Sequence, residues 1–112
     1  MKKINLAVTG CMGRMGQQII TSVKKDKNFR LTALTENKKI NKKINGIKVD
    51  LNTEALFKKV DLIIDFTIPK CTFQVLKIAA KLKKRVVIGT TGFTKKEEDL
   101  IKKFSKRIPI LK

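Results

Sequence analysis

Gly10, Gly13 and Gly16 lie in the segment of this sequence with the clearest chemical meaning. An apolar run over residues 4–9 precedes them and predicts a strand, and apolar positions within residues 19–23 predict the buried face of a helix. Glycines at a strand-to-helix junction permit a tight turn and a close approach of the backbone to a ligand. Because a helix N-terminus carries free N–H groups and a partial positive charge, this pattern predicts a phosphate-binding turn.

An acidic residue, Glu36, ends the predicted second strand (residues 29–36), twenty residues after Gly16. A carboxylate at this place can accept hydrogen bonds from both hydroxyls of an adenosine ribose. The turn and the acid together therefore predict a dinucleotide site. The alternatives are that the turn is only a glycine-rich helix start and that Glu36 is only an exposed loop acid. Residues 37–39 (Asn-Lys-Lys) place bases beside the acid, so the sequence favours neither NAD nor NADP.

A third candidate segment, Gly89-Thr90-Thr91-Gly92, follows a buried apolar run. Its glycines allow backbone approach and its hydroxyls can orient a ring or an amide, with an ordinary capped turn as the alternative. Asp65 also ends an apolar run, and we interpret it as a buried strand-end residue that positions the following loop rather than as a catalytic acid. The sequence contains no histidine and presents no acid–base pair, so no catalytic residue is assigned.

The hydrophobic pattern predicts alternating strands and helices that would hold these residues. Strands are predicted over residues 3–9, 29–36, 46–49, 60–66, 85–88 and 108–111. Helices are predicted to end near residues 25, 58, 82 and 104, and a polar loop is predicted over residues 37–45. Pro69 suits the first turn of the third helix, and Thr94 with Glu97 forms a capping box at the start of the fourth. Regular alternation predicts an α/β, Rossmann-type doubly wound parallel sheet in a single domain, with the strand-to-helix loops on one edge.

The composition sets limits on compartment and partners. A chain of 112 residues with 42% hydrophobic residues can bury one core, and no apolar run reaches the roughly 20 residues that span a bilayer, so a soluble cytoplasmic protein is expected. Cys11 and Cys71 form neither a disulfide framework nor a metal site and are interpreted as inert thiols.

The formal charge of +18 raises the alternative of a nucleic-acid-binding module. Many of the lysines fall at predicted helix C-termini, where cations complement the helix dipole. Tyrosine and tryptophan, which stack on bases, are absent from the sequence. We therefore favour solvated charge and a lysine-rich composition over a nucleic-acid surface, and we expect no metal.

Three segments carry a resemblance to a known family: VTGCMGRMG at residues 8–16, DFTIP at 65–69 and VIGTTGF at 87–93. With them, the chain resembles the N-terminal domain of bacterial dihydrodipicolinate reductase over essentially its whole length. The resemblance implies reduction of a cyclic imine or its hydrated precursor by NADH or NADPH, in lysine and diaminopimelate synthesis. Another amino-acid-pathway dehydrogenase, such as aspartate or homoserine dehydrogenase, is the enzymatic alternative.

The resemblance also implies a set of cofactor contacts. The pyrophosphate is expected on Gly10, Cys11, Met12, Gly13, Arg14 and Met15, the adenosine ribose on Glu36, and the nicotinamide side on Gly89, Thr90 and Thr91. Family members often have an arginine after the ribose acid, where this sequence has Asn37, so the preference between the two cofactors stays open.

Members of the family are more than twice as long and carry a catalytic His and Lys in a substrate domain. The chain is therefore expected to be a truncated NAD(P)-binding portion that binds NAD(P)H weakly and turns nothing over; a non-catalytic remnant is a further alternative. The complete enzyme is expected to act on a small-molecule substrate as a homo-oligomer, a tetramer by family.

Overall fold

The computed structural model describes residues 2–112, in which strands and helices alternate as predicted. The elements in chain order are β1 (Ile4–Thr9), α1 (Arg14–Lys24), β2 (Phe29–Thr35), β3 (Lys43–Ile44), β4 (Ile47–Asp50), α2 (Glu54–Phe57), β5 (Leu62–Asp65), α3 (Pro69–Leu82), β6 (Arg85–Ile88), α4 (Lys95–Ser105) and β7 (Ile110–Leu111). Among the described residues, no helix combines the length and apolarity needed to cross a membrane.

The strands form one sheet in the order β3-β4-β2-β1-β5-β6-β7. Every neighbouring pair from β4 to β7 is parallel. The chain moves outward from β1 to β2 and β4 on one side, and then to β5, β6 and β7 on the other. This is the predicted Rossmann-type, doubly wound arrangement, and it brings the carboxyl ends of the parallel strands to one edge of the sheet.

The prediction of a polar loop over residues 37–45 is wrong at the end of that range. Lys43 and Ile44 form β3 there, and β3 pairs antiparallel with β4. Asn45 and Gly46 join the two strands with φ angles of 52° and 79°. Two consecutive residues with positive φ make the tight hairpin turn for which Asn-Gly is the preferred sequence. The sheet is therefore mixed at this end rather than wholly parallel, and the Asn-Gly pair is the signal that could have revealed it.

Alternating side chains of β1 contribute to the core on both faces of the sheet. Leu6 and Val8 are fully buried and pack in a cluster with Ile20 of α1. Ala7 lies on the opposite face, in a second cluster with Leu76 of α3. Because helices cover both faces, the central strands have the nearly continuous apolar sequences expected of a buried parallel sheet.

Side-chain caps begin two of the helices, and the one at α4 is the predicted capping box. In the capping box of α4, the N–H of Thr94 donates to Glu97 Oε1 at 2.8 Å and the N–H of Glu97 donates to Thr94 Oγ1 at 3.1 Å. Thr53 caps α2, because its Oγ1 accepts from the N–H of Leu56 at 3.2 Å. These bonds fix where both helices begin.

Lysines occupy the last turns of the three longer helices, as the sequence predicted: Lys24 in α1, Lys81 in α3, and Lys102 and Lys103 in α4. Their charges complement the negative ends of the helix dipoles. In this layout, the helix C-termini lie at the edge of the sheet opposite the carboxyl ends of the strands. This part of the positive charge is consequently remote from the predicted ligand edge.

Candidate functional site

The predicted site residues lie in loops that follow β1, β2 and β6 at the carboxyl edge of the sheet. The turn after β1 is central, because β2 lies on one side of β1 and β5 on the other. In a doubly wound sheet, the direction of winding reverses at this point and the diverging loops leave a crevice. The fold therefore places the glycine turn where such sheets bind their ligands.

Gly10 and Gly16 must be glycine for steric reasons. Gly10 has a φ of +68°, and a Cβ there would overlap the carbonyl oxygen of Phe66. A Cβ on Gly16 would overlap the carbonyl oxygen of Gly10 and lie 2.9 Å from the Cα of Cys11. Gly13 is the extended N-cap of α1, and a Cβ there would lie 3.4 Å from its nearest neighbour, the Gly10 oxygen. The first and third glycines thus permit the close packing of the turn, while the second has more room.

The backbone N–H groups of the turn differ in whether they already have an acceptor. Those of Gly10 and Cys11 donate to the carbonyl oxygen of Thr35, at 3.0 and 3.2 Å, and so fasten the turn to β2. Those of Arg14 and Met15, the first residues of α1, have no acceptor among residues 2–112. With no acid in the first turn of α1, its positive end is available to an anion.

Cys11 contributes to the turn through its backbone. Its side chain is fully buried. Burial, reinforced by the nearby Glu36 carboxylate, raises the pKa of the Cys11 thiol to about 11. The thiol is therefore protonated at neutral pH, as expected of the inert cysteine predicted from the sequence.

Glu36 is joined directly to the glycine turn. Its Oε2 accepts a hydrogen bond of 2.7 Å from the N–H of Met12, and its own N–H donates to the carbonyl oxygen of Asp50 at 2.9 Å. The side chain is only partly buried. The carboxylate is thus held beside the turn by one oxygen, which leaves the other to accept hydrogen bonds from a ligand.

Asp65 is the buried strand-end residue that the sequence predicted, and its carboxylate is fully enclosed. Oδ1 accepts from the hydroxyls of Thr9 at 2.5 Å and Thr67 at 2.9 Å. Oδ2 accepts from the hydroxyls of Thr72 at 2.5 Å and Thr90 at 2.9 Å. These four bonds connect the ends of β1, β5 and β6 with the first turn of α3.

The structure changes the interpretation of one of the two threonine hydroxyls after β6. Thr90 is only 5% exposed, and its hydroxyl donates to Asp65 while accepting the N–H of Thr67 at 2.8 Å. This hydroxyl is turned into the protein and is not presented to a ligand, contrary to the role suggested by its residue type. Thr91 is exposed, and Gly92 beside it has a φ of +86°.

Phe66 is a residue of the site that sequence reasoning did not assign to it. Its carbonyl oxygen lies against Gly10, and its ring occupies the space that a Cβ on Gly89 would need. Its N–H also donates to the carbonyl oxygen of Thr9 at 3.3 Å. Phe66 therefore brings the turn after β1 and the loop after β6 together. The available signal was its place in the DFTIP segment, between two glycine-rich loops.

Known proteins resemble this chain in both sequence and fold. A model of the family described as "Dihydrodipicolinate reductase, N-terminus" matches residues 4–112. The chain belongs to the dihydrodipicolinate reductase family. It is 75% identical, over its whole length, to 4-hydroxy-tetrahydrodipicolinate reductase of Pelagibacter ubique (strain HTCC1062), and it spans 43% of that relative. The corresponding reductase of Buchnera aphidicola subsp. Acyrthosiphon pisum (strain 5A) is 40% identical over 98% of this chain and 45% of its own length.

Solved structures agree with the family assignment. Dipicolinate-bound dihydrodipicolinate reductase from Paenisporosarcina sp. TG-14 matches 93% of this chain and 43% of its own, with a TM-score of 0.77 and 29% identity. Homoserine dehydrogenase of S. aureus has a TM-score of 0.80 over 99% of this chain and 32% of its own, but only 16% identity, and so shares the fold alone. The resemblance predicted from the sequence is confirmed, and the alternative of another amino-acid-pathway dehydrogenase is not supported.

Proposed function

We propose that this chain is the NAD(P)H-binding part of a 4-hydroxy-tetrahydrodipicolinate reductase. The observation that carries the proposal is the hydrogen bond from the N–H of Met12 to Glu36, which joins the ribose acid to the glycine turn. Membership of the dihydrodipicolinate reductase family supplies the reaction class. We extend the proposal to a cytoplasmic homo-oligomer that acts on a small-molecule substrate in lysine and diaminopimelate synthesis.

The cradle at the turn fits a pyrophosphate. The backbone approaches closely because Cβ atoms are missing at Gly10 and Gly16, and the N–H groups of Arg14 and Met15 have no acceptor within residues 2–112. The open oxygen of Glu36 would accept from the ribose hydroxyls. When bound, the reduced nicotinamide supplies a hydride.

The segment 89–91 would receive the nicotinamide side. Its first residue, Gly89, has its N–H fixed on the carbonyl oxygen of Asp65 at 2.8 Å, and Thr91 is exposed. Since the hydroxyl of Thr90 is used within the protein, we expect this segment to contact the ring through its backbone and Thr91.

Both cofactors are compatible with the ribose end of the site. Glu36 favours the free hydroxyls of NADH, and Asn37, Lys38 and Lys39 are exposed beside it. A lysine can offer charge to a 2′-phosphate but lacks the bidentate geometry of arginine. We therefore propose binding of either nucleotide, without a strong preference.

We propose that the chain by itself binds the cofactor without turnover. A reductase needs a proton donor beside the hydride acceptor. The carboxylate of Asp65 is enclosed by four hydroxyls and that of Glu36 is held at the turn, so neither is placed to deliver a proton to a substrate. Measurable reductase activity of the purified 112-residue chain would contradict this statement.

Replacement of the ribose acid tests the proposed function. We expect Glu36→Ala to weaken NADH binding about tenfold, because charge-assisted hydrogen bonds to the ribose are lost and the turn loses an acceptor. NADH is an anion, so a chain that attracted it only through its positive charge would bind it equally well or better after this change. NADH fluorescence titration at fixed ionic strength measures the effect.

Asp26→Ala is a matched control, because Asp26 also accepts a backbone N–H, that of Asn28 at 2.8 Å, but lies at the opposite edge of the sheet. It should bind NADH as the wild type does. Equal affinities of Glu36→Ala, Asp26→Ala and wild type would contradict the assignment of the ribose site. Tight, strongly salt-dependent binding of unrelated duplexes without saturable NADH binding would favour the nucleic-acid-binding alternative instead.

A further inference from the structure

The side chain of Asp65 is the one fully buried carboxylate in the described chain, and it does not form an ion pair there. Resting on the proposed function, we propose that Asp65 is a positioning residue. Through Thr90, it fixes the loop at residues 89–92 against the loop after β5, and so sets where the nicotinamide half of the cofactor is received.

The acceptor capacity of the Asp65 carboxylate is fully used. Each oxygen accepts two threonine hydroxyls, at distances between 2.5 and 2.9 Å. A carboxylate has about four lone-pair sites, so no oxygen is left for a ligand. Asp65 therefore acts on other residues of the protein and not on a bound molecule.

The bonds on Oδ2 are the ones that determine the position of the loop. Thr90 donates to this oxygen, and the same hydroxyl accepts the N–H of Thr67 at 2.8 Å. One hydroxyl thus joins the loop after β6 to the loop after β5. Gly89 adds a second connection, from its N–H to the carbonyl oxygen of Asp65 at 2.8 Å.

A buried carboxylate without a cation is costly, and an apolar residue of similar size would pack this position with less loss of solvation. What the carboxylate adds is direction, since its two oxygens require hydroxyls at defined places around it. The hydroxyls around the Asp65 carboxylate come from the ends of three strands and from a helix. The arrangement of the loops at the carboxyl edge of the sheet therefore depends on this side chain.

The adenosine half of the site depends on other contacts. Glu36 follows β2, on the far side of β1 from Asp65, and is held by the N–H of Met12. A change confined to Thr90 should therefore affect the nicotinamide half and spare the adenosine half. A general loss of structure would affect both halves alike.

The test compares Thr90→Val, which has a similar shape but no hydroxyl, with Thr90→Ser, which keeps the hydroxyl. We expect Thr90→Val to weaken NADH binding about fivefold while changing ADP-ribose binding less than about twofold. Thr90→Ser should restore NADH binding. Thr21→Val is the control, because the Thr21 hydroxyl is exposed on α1 and bonds only within that helix. Calorimetric titration of each variant with NADH and ADP-ribose measures the split.

A second measurement does not depend on any ligand. In the ligand-free chain, the amide of Thr67 should be protected from hydrogen exchange, and Thr90→Val should remove this protection while Thr90→Ser retains it. Rapid exchange of the Thr67 amide in the wild type would overturn the positioning role whatever the titrations show. Equal losses of NADH and ADP-ribose affinity in Thr90→Val would overturn it as well. A wild type that binds neither nucleotide would instead overturn the proposed function, and the exchange data would then still decide whether Thr90 fixes the loop.

Discussion

Gly10→Ala is expected to weaken NADH binding by more than about tenfold, one of the two largest effects that the structure predicts. Gly10 has a φ of +68°, which disfavours any residue with a Cβ. The added methyl group would also overlap the carbonyl oxygen of Phe66, which is a backbone atom and cannot turn aside. The turn or the loop after β5 must therefore shift, and either shift would disturb the proposed pyrophosphate site. NADH titration, with a thermal melt of the same sample, measures the effect.

Gly46→Ala separates backbone strain from steric overlap. Gly46 has a φ of +79°, but beyond its chain neighbours no heavy atom lies within 4 Å of where a Cβ would stand. It lies in the β3–β4 hairpin at the opposite edge of the sheet. The variant should lose stability by about 1 kcal/mol and bind NADH as the wild type does. Indistinguishable NADH affinities for Gly10→Ala and Gly46→Ala would show that the turn does not hold the cofactor.

Asp65→Ala is expected to lower the free energy of unfolding by about 3 kcal/mol, because four hydroxyls, three of them on buried threonines, lose their shared acceptor and a cavity remains. Asp65→Asn should fall between this variant and the wild type, since the amide can accept at one atom and donate from the other. Urea unfolding followed by circular dichroism gives these values.

Asp61→Ala is the matched comparison at the other end of β5. Asp61 is exposed and accepts a single hydrogen bond, of 2.9 Å, from the N–H of Asn5. Its removal should lower the free energy of unfolding by about 1 kcal/mol or less. Equal destabilisation by Asp61→Ala and Asp65→Ala would contradict the central place of Asp65 among the strand ends.

Local patterns in the sequence were sufficient for most of the fold. The apolar run that ends at Asp65, the proline at the start of α3 and the capping box of Thr94 each depend on residues close together in the chain. β3 was not predicted because two residues cannot show a periodicity. The turn residues Asn45 and Gly46 were the better guide there, since they depend on backbone conformation rather than on hydrophobic spacing.

The site was predictable as a set of loops but not as a set of contacts. Parallel winding alone brings the glycine turn, Glu36 and residues 89–92 to one edge. The direction of the Thr90 hydroxyl could not be predicted, because it depends on β5 lying between β1 and β6. The same strand order places Thr9 beside Asp65 in the parallel register, although 56 residues separate them in the chain.

The most direct test of the central claim is to map NADH onto the chain residue by residue. Amide chemical shifts of the ¹⁵N-labelled protein, followed during an NADH titration, should change in a saturable manner at residues 10–15, at Glu36 and at residues 89–91. ADP-ribose should reproduce the changes at the first two places and not at the third. Shift changes that are absent, or that concentrate at the lysine-rich C-termini of the helices, would contradict the assignment of this edge as the cofactor site.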